Sequence, residues 1–288
     1  MKITTEPMIA RFLRFFRKRF GRPLGFGRLV ELIYSTKTGV FEFEIEEAGL
    51  SWVGSTKEYV LWYTYFFGPY ESTLLRFMCE RASSAGGGVL LDIGGNLGTT
   101  AIQCSSAFSK VHSFEPNPLL RRDFEQLVSI NRIKNIIRHE VALGDHDGLM
   151  TLHVFNPNNS GTGSLLEIDV ATEGAYNVDV NVVDADAYIK HHVQERVAAI
   201  KLDVQGFEGT IIRSLSSLIA SNKPLIYVEV TCEETHAVLS RLCVEGGLGI
   251  NYQIFTLERV GFVRKENLTE IDRGAWKTFR GDALFIPL

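Results

Sequence analysis

Val89-Leu90-Leu91-Asp92-Ile93-Gly94-Gly95-Asn96-Leu97-Gly98-Thr99-Thr100 is the stretch that decides the fold. Val89, Leu90, Leu91 and Ile93 form an almost unbroken apolar run around one carboxylate, Asp92. Such a run suits a strand buried on both faces of a parallel sheet. Gly94, Gly95 and Gly98 follow at once, and a helical stretch opens near Leu97. Glycines at a strand-to-helix turn let backbone come close to a ligand, and a helix start offers free N–H groups. A second apolar run, residues 111–114, ends in Glu115, 23 positions after Asp92. An acid at the tip of the next strand, roughly 20 residues on, is placed to accept from a ribose diol. The pattern predicts a nucleoside-containing ligand lying across two strand tips.

The chemistry around the turn narrows that ligand. A dinucleotide site wants Gly-x-Gly-x-x-Gly, with turn amides on a pyrophosphate. Gly94-Gly95-Asn96-Leu97-Gly98 is one residue short of that spacing, and Asp92 would repel a pyrophosphate. A cofactor with a cationic amino-acid end and no phosphate fits better, which describes S-adenosylmethionine.

Four blocks carry a family resemblance: Leu91-Asp92-Ile93-Gly94-Gly95-Asn96-Leu97-Gly98, Phe114-Glu115-Pro116-Asn117-Pro118, Val141-Ala142-Leu143-Gly144-Asp145 and Ile200-Lys201-Leu202-Asp203-Val204-Gln205-Gly206-Phe207-Glu208. In order and spacing they resemble the FkbM family of S-adenosylmethionine-dependent methyltransferases, over residues 70–230 and more loosely beyond. The resemblance implies an α/β, Rossmann-like class I methyltransferase domain over residues 70–288. Its sheet would be mostly parallel and seven-stranded, with helices on both faces and an antiparallel ending. Residues 1–69 would be an extension of helix, hairpin and aromatic segment. The implied activity is O-methylation of a hydroxyl on a sugar, glycolipid or secondary metabolite, so the partner is a small-molecule or glycan acceptor. The implied cofactor site comprises Asp92, Gly94, Gly95, Asn96, Gly98, Glu115, Pro116, Asn117, Ala142 and Asp145, with Tyr70 and Glu71 closing over the methionine end. Two departures stand out. Gly95 stands where alanine is commoner, an exchange expected to be harmless, and Gln205 replaces a frequent glutamate.

Composition bounds the alternatives. The chain has 288 residues, 45% hydrophobic and 22% charged, enough for one good-sized domain with an appended segment. A net charge of −4 disfavours a nucleic-acid partner. Cys79, Cys104, Cys232 and Cys243 form no C-x-x-C pair and read as reduced thiols. The seven histidines show no ligand spacing, so no metal site is expected. No apolar run is long enough to span a bilayer and no signal-peptide pattern is visible, so a cytoplasmic protein is expected.

The N-terminal segment stands apart. Residues 7–30 hold no acid but carry Arg11, Arg14, Arg17, Lys18, Arg19, Arg22 and Arg28. Ile9, Phe12, Leu13, Phe16 and Phe20 recur at helical spacing. A basic amphipathic helix of this kind over residues 9–28 suits peripheral contact with an anionic membrane. It equally suits a helix that packs its phenylalanines on the domain and solvates its arginines. Phe41, Phe43 and Ile45 alternate with Glu42, Glu44 and Glu46, predicting a hairpin that turns at Glu47-Ala48-Gly49. Aromatic residues crowd between Tyr59 and Tyr70, as packing or as a pocket wall.

Further along, residues 136–143 read as one strand, and residues 149–155 as its hairpin partner. Residues 156–164 read as a long polar, glycine-rich loop, which suits a substrate lid and equally a plain connection. Asp145 sits in a strong turn signal, Gly-Asp-His-Asp-Gly, so a turn role and an adenine contact both fit. Residues 198–204 predict a buried strand containing Lys201 and Asp203. Charges there are unfavourable unless paired or functional. Asp203 is the candidate base or orienting group for the acceptor hydroxyl, with Lys201 tuning it; a structural ion pair is the alternative. Glu229 lies near the tip of a further strand, residues 225–230. Three other functions share parts of this pattern. A nicotinamide-dependent oxidoreductase is opposed by Asp92 and the glycine spacing. A non-catalytic nucleotide-binding module would keep only the cofactor fold. A nucleic-acid base methyltransferase lacks its Asn/Asp-Pro-Pro-Tyr box here.

Overall fold

The structure, a computed structural model, describes residues 4–156, 158–159, 163–166, 174–260 and 265–288. The N-terminal extension builds a three-stranded sheet from β1 (Thr4–Thr5), β2 (Phe41–Glu47) and β3 (Leu50–Ser55). Ala48 and Gly49 both adopt positive φ, 54° and 77°, the requirement of a two-residue hairpin turn with right-handed strand twist. The predicted alternation holds: Phe41, Phe43 and Ile45 are buried while Glu42 and Glu44 face out. Helices α1 (Met8–Phe20), α2 (Phe26–Ile33) and α3 (Tyr59–Phe67) complete the extension. α3 is apolar on all sides, and Val60, Leu61, Trp62, Tyr65, Phe66 and Phe67 are all buried. Its cluster runs on into Leu97, Ile102, Leu120 and Leu127, so the extension and the following domain share one core.

The reading of α1 as packed phenylalanines with solvated arginines holds only in part: Phe16 packs on the core and Arg11 and Arg19 are exposed. Only Ala10 and Leu13 of that helix are fully buried. Arg14 and Arg17 turn inward to the Glu47 carboxylate, whereas Ile9, Phe12, Phe15 and Phe20 are exposed.

After α4 (Ser72–Ser84), β4 (Val89–Ile93), α5 (Thr99–Cys104), β5 (Lys110–Phe114), α6 (Arg121–Ile130) and β6 (Ile136–His139) form the first half of the main sheet. β7 (Ala142–Gly144), β8 (Gly148–Val154), β9 (Gly163–Ser164) and β10 (Tyr176–Asp184) follow. α7 (Ala185–His192), β11 (Val197–Leu202), α8 (Glu208–Ser214), α9 (Ser216–Asn222), β12 (Leu225–Val230) and α10 (Glu233–Leu239) lead to the last strands. These are β13 (Tyr252–Val260), β14 (Lys265–Ile271) and, after α11 (Arg273–Trp276), β15 (Gly281–Pro287).

The main sheet has eight strands, not the seven implied, in the order β14-β13-β15-β12-β11-β4-β5-β6. Strands β12 to β6 in that order are parallel, and β15, β13 and β14 close the edge antiparallel. β14 is the addition. The strand order reverses between β4 and β11, and such a switch point opens a crevice at the carboxyl ends of the strands. Both faces of β4 are covered: Val89, Leu91 and Ile93 enter one core and Leu90 another. Asp92 has the parity of Leu90 and so lies on the face that α4 and α5 cover. Replacing the fully buried Leu91 by alanine costs about 2–5 kcal/mol.

The predicted single strand over residues 136–143 is two. β6 ends at His139 in the main sheet, and β7 joins a second sheet ordered β7-β10-β8-β9. The predicted hairpin between the strand before the turn and residues 149–155 also fails. β10 lies between them, parallel to β7 and antiparallel to β8.

Candidate active site

Backbone contacts draw three strand tips together. The amides of Gly94 and Gly95 both donate to the Phe114 carbonyl at 3.0 Å, and Asp203 N donates to Ile93 O at 3.1 Å. Gly94 has φ 84°, and a Cβ there would lie 1.9 Å from the Asp203 carbonyl oxygen. Only glycine lets the two loops approach so closely.

Glu115 sits at the centre of a crevice of about 680 Å³. Its Oε2 accepts from Asn96 N and its Oε1 from Asn117 N, both at 2.8 Å. Each oxygen keeps a second lone pair for a ligand hydroxyl. Burial raises its pKa, opposed by the two amides and by Arg138. Pro116, Asn117 and Ala142 line the same crevice, and Ile93, Phe114, Leu143 and Phe207 make its walls apolar.

A second chamber, about 780 Å³, has the opposite character. Tyr59, Tyr70, Glu71, Lys201, Asp203, Gln205, Glu229 and Asp282 line it, and it meets the first at Gly94, Asn96, Asp203 and Gln205. Lys201 Nζ donates to Asp203 Oδ2 at 3.1 Å. Burial works against the lysine's charge, but the carboxyls of Asp203, Glu71 and Asp92 outweigh it and raise its pKa. Gln205 Nε2 donates to Asp203 Oδ1 at 2.9 Å and to Glu229 Oε2 at 3.1 Å. Burial, then Asp203 and Asp282, pushes Glu229 up to about 7. Burial also raises Glu71, with Lys201 opposing. Glu208 holds the loop beneath: its carboxylate accepts from Val204 N and Gly206 N and from the Thr235 hydroxyl.

Backbone strain concentrates here. Six non-glycine residues among those described have φ near +50°, and three of them, Glu71, Asn96 and Gln205, line the acidic chamber. Such conformations cost about 1–3 kcal/mol each and gather at functional sites.

Most predicted site residues converge on the two chambers: Tyr70, Glu71, Gly94, Gly95, Asn96, Glu115, Pro116, Asn117, Ala142, Lys201 and Asp203. Three do not line them. Gly98 caps α5 beneath the turn. Asp145 is exposed on its turn, paired with His146 at 2.7 Å, outside both chambers. Asp92 has no exposed surface. It lies in a buried row formed by register: Ser113, Asp92, Lys201 and Tyr227 on four neighbouring strands. Its Oδ2 accepts from the Ser113 hydroxyl at 2.9 Å and its Oδ1 has no hydrogen-bond partner. Asp92 therefore lies beneath the turn, its Oδ2 3.4 Å from where a Cβ of Gly95 would stand. Nor is Gly95 a harmless exchange for alanine, because a Cβ there would meet Ser113 Oγ at 2.1 Å.

Tyr59 and Asp282 are additions to the site, and Glu229 gains a place in it. Glu229 and Asp282 pair in register on adjacent strands. Each is a lone acid near the end of an apolar strand, the signal that also marked Asp92 and Asp203. The described ends of the loop over residues 156–164 reach both chambers: Asn159 lines the acidic one and Gly163 the apolar one. Asn158 O accepts from Tyr59 N at 2.8 Å. Residues 157 and 160–162 lie outside the described residues. Among the described residues no cluster of His, Cys, Asp and Glu is arranged to hold a metal ion, and all four cysteines are free.

Residues 92–248 match a model of the methyltransferase FkbM domain. The chain belongs to this methyltransferase family. A hexuronic acid methyltransferase of Haloferax volcanii is 26% identical to the FkbM chain over 153 residues, 52% of this chain. The match covers 59% of that relative's length. Among solved structures, an FkbM methyltransferase of Methylobacillus flagellatus aligns with 78% of this chain and 52% of its own, at 14% identity and TM-score 0.42. A tRNA (uracil-54, C5)-methyltransferase of Pyrococcus abyssi in complex with S-adenosyl-L-homocysteine aligns with 86% of this chain and 44% of its own, at 12% identity and TM-score 0.41. Among the described residues of this FkbM protein, no helix is long and apolar enough to cross a membrane.

Proposed function

We propose that the chain transfers a methyl group from S-adenosylmethionine to a hydroxyl of a sugar, glycolipid or other small metabolite. One observation carries the reading: an apolar crevice centred on Glu115 opens into an acidic chamber around Asp203, with Gly94 and Asn96 at the junction. The donor set fits the cofactor end to end. Ile93, Phe114, Leu143 and Phe207 suit a base, and the spare lone pairs of Glu115 suit ribose hydroxyls. Glu71, Asp203, Glu229 and Asp282 suit a cationic amino-acid end. When bound, S-adenosylmethionine supplies an electrophilic methyl group on a positively charged sulfur.

The chain's own contribution is orientation and proton removal. Asp203, with Oδ1 on Gln205 and Oδ2 on Lys201, is fixed in direction yet keeps 27% of its side chain exposed to the chamber. It accepts the acceptor hydroxyl's proton or aims its lone pair, and Lys201 holds the carboxylate for that task. Orientation supplies up to roughly 7–11 kcal/mol in favourable cases, and proton transfer about 10²–10⁴-fold. Carboxyl groups present acceptor oxygens, so a surface of them suits hydroxyl donors. The Haloferax volcanii relative, named for a sugar acid, supports a sugar acceptor. Four carboxyl groups against one lysine favour a neutral ring over an acidic one.

The test is incubation with S-adenosylmethionine and a panel of neutral sugars, sugar acids and glycolipids, reading S-adenosylhomocysteine release and methylated product by mass spectrometry. Product on neutral hydroxyl acceptors is expected. Failure to bind the cofactor at all sinks the reading, and binding without turnover on every acceptor leaves a non-catalytic module.

A further inference from the structure

The N-terminal helices carry an oily face outward. Nine of the fourteen exposed large apolar side chains among the described residues fall within residues 8–33. On α1, Met8, Phe12 and Phe15 recur at i, i+4 and i+7 with exposures of 84%, 62% and 62%; on α2, Leu32 reaches 82%. Single exposed apolar side chains are ordinary, but nine of them gathered in one short segment mark an interaction site.

The orientation is enforced from within. Glu47 accepts from Arg14 at 3.2 Å, Arg17 at 2.9 Å and Lys18 at 3.0 Å. Arg22 donates to the Tyr63 hydroxyl at 3.0 Å and to the Phe67 carbonyl. With Arg14, Arg17 and Arg22 turned inward, Phe12 and Phe15 are left outside while Phe16 packs on the core. Arg11, Arg19 and Arg28 remain exposed beside it, and Glu31 is the one acid on either helix. The face is therefore apolar with a basic rim.

We infer that the α1–α2 face docks on an anionic lipid bilayer. Phe12 and Phe15 enter the boundary between headgroups and acyl chains, and Arg11, Arg19 and Arg28 meet the lipid phosphates. With 13 and 8 residues, the two helices lie on the membrane and do not span it. Charge decides between occupants. A second copy would cover the apolar side chains only by bringing like-charged arginines together, whereas an anionic surface satisfies both features. Tyr59 lines both the groove beneath α2 and the acidic chamber, so that groove and the candidate active site share a wall.

The test is co-sedimentation of the full chain with phosphatidylglycerol–phosphatidylcholine vesicles, against vesicles of phosphatidylcholine alone. Retention on the anionic vesicles, weakened by salt, is expected. The variant F12S/F15S/L32S should lose about tenfold or more of that binding, and R11E/R19E/R28E should lose the preference for anionic lipid. Circular dichroism and Tm check the fold of each. As a milder probe, F12W should shift its tryptophan emission to the blue on anionic vesicles and be quenched by brominated lipid. No retention of the wild type, equal retention of the serine variant, or an unshifted F12W emission overturns the inference. So does a stable dimer in sedimentation equilibrium that the serine variant dissociates.

Discussion

Gln205 Nε2 donates to Glu229 Oε2 at 3.1 Å, and the same nitrogen reaches Asp203. An amide therefore separates two carboxyl groups where the family resemblance has a frequent glutamate. A third acid would crowd like charges; the glutamine supplies a donor instead.

Glu229 links folding to pH. Its ordinary value of 4.5 rises to about 7 in the folded chain. Between those values the folded state holds a proton that the unfolded state releases, so this contribution to stability is lost as pH rises through the window. His139 acts oppositely, because burial lowers it to about 4. The difference between proteins is therefore the diagnostic quantity. Glu229→Gln, followed by Tm from about pH 5 to pH 8 without ligand, should lose less stability on the alkaline side than wild type. Parallel curves would contradict the assignment.

Asp203 and Lys201 should separate by readout. Asp203→Asn should lower kcat by about 10²–10⁴-fold while calorimetry finds cofactor binding largely intact. Lys201→Met should act on the fold: it leaves Asp92 and Glu71 without their buried cation, at a cost of about 3–5 kcal/mol. Full turnover in Asp203→Asn would remove Asp203 as base.

Glu115 joins two loops as well as facing the crevice. Glu115→Ala strands the Asn96 and Asn117 amides, at about 1–3 kcal/mol each. S-adenosylmethionine affinity should fall well beyond tenfold by calorimetry. Glu115→Gln keeps one acceptor oxygen and should fall between. Unchanged affinity in the alanine variant would reject the ribose contact.

Gly95 and Ser113 should be coupled. The methyl of Gly95→Ala would displace the Ser113 hydroxyl from Asp92, costing about 1–3 kcal/mol. Ser113→Ala alone loses the same hydrogen bond. In denaturant unfolding the double variant should therefore cost less than the two single losses added together. Strict additivity would mean that the two side chains do not compete.

Where one short stretch determines local structure, the sequence is legible. Residues 89–98 encode strand, turn and helix start, because burial on both faces leaves no polar alternation and the glycines end the run. Residues 136–143 misled because apolar residues stand on both sides of Arg138-His139-Glu140 with no glycine or proline between, while the chain changes sheets at Glu140 and Val141. β8 misled because strands adjacent in sequence were assumed to pair, whereas β10 comes between them from about 30 residues away. β14, Lys-Glu-Asn-Leu-Thr-Glu-Ile, lacks the apolar density of a core strand and lies at the sheet edge. In the site, Asp92 was legible as important and its mode of action was not. Its burial depends on Ser113 and Lys201, neighbours set by register alone. The inward turn of Arg14 and Arg17 depends likewise on Glu47, some 30 residues on in a hairpin.

The core that α3 shares with Leu97, Ile102, Leu120 and Leu127 has a consequence for heredity and for engineering alike. A chain begun at Tyr70 would lose Tyr59 from the acidic chamber and emerge with an oily scar along α5 and α6. The first seventy residues are thus no detachable tag. Recombination that swaps them must bring a matching aromatic plug, or the recipient will clump before it ever meets a substrate.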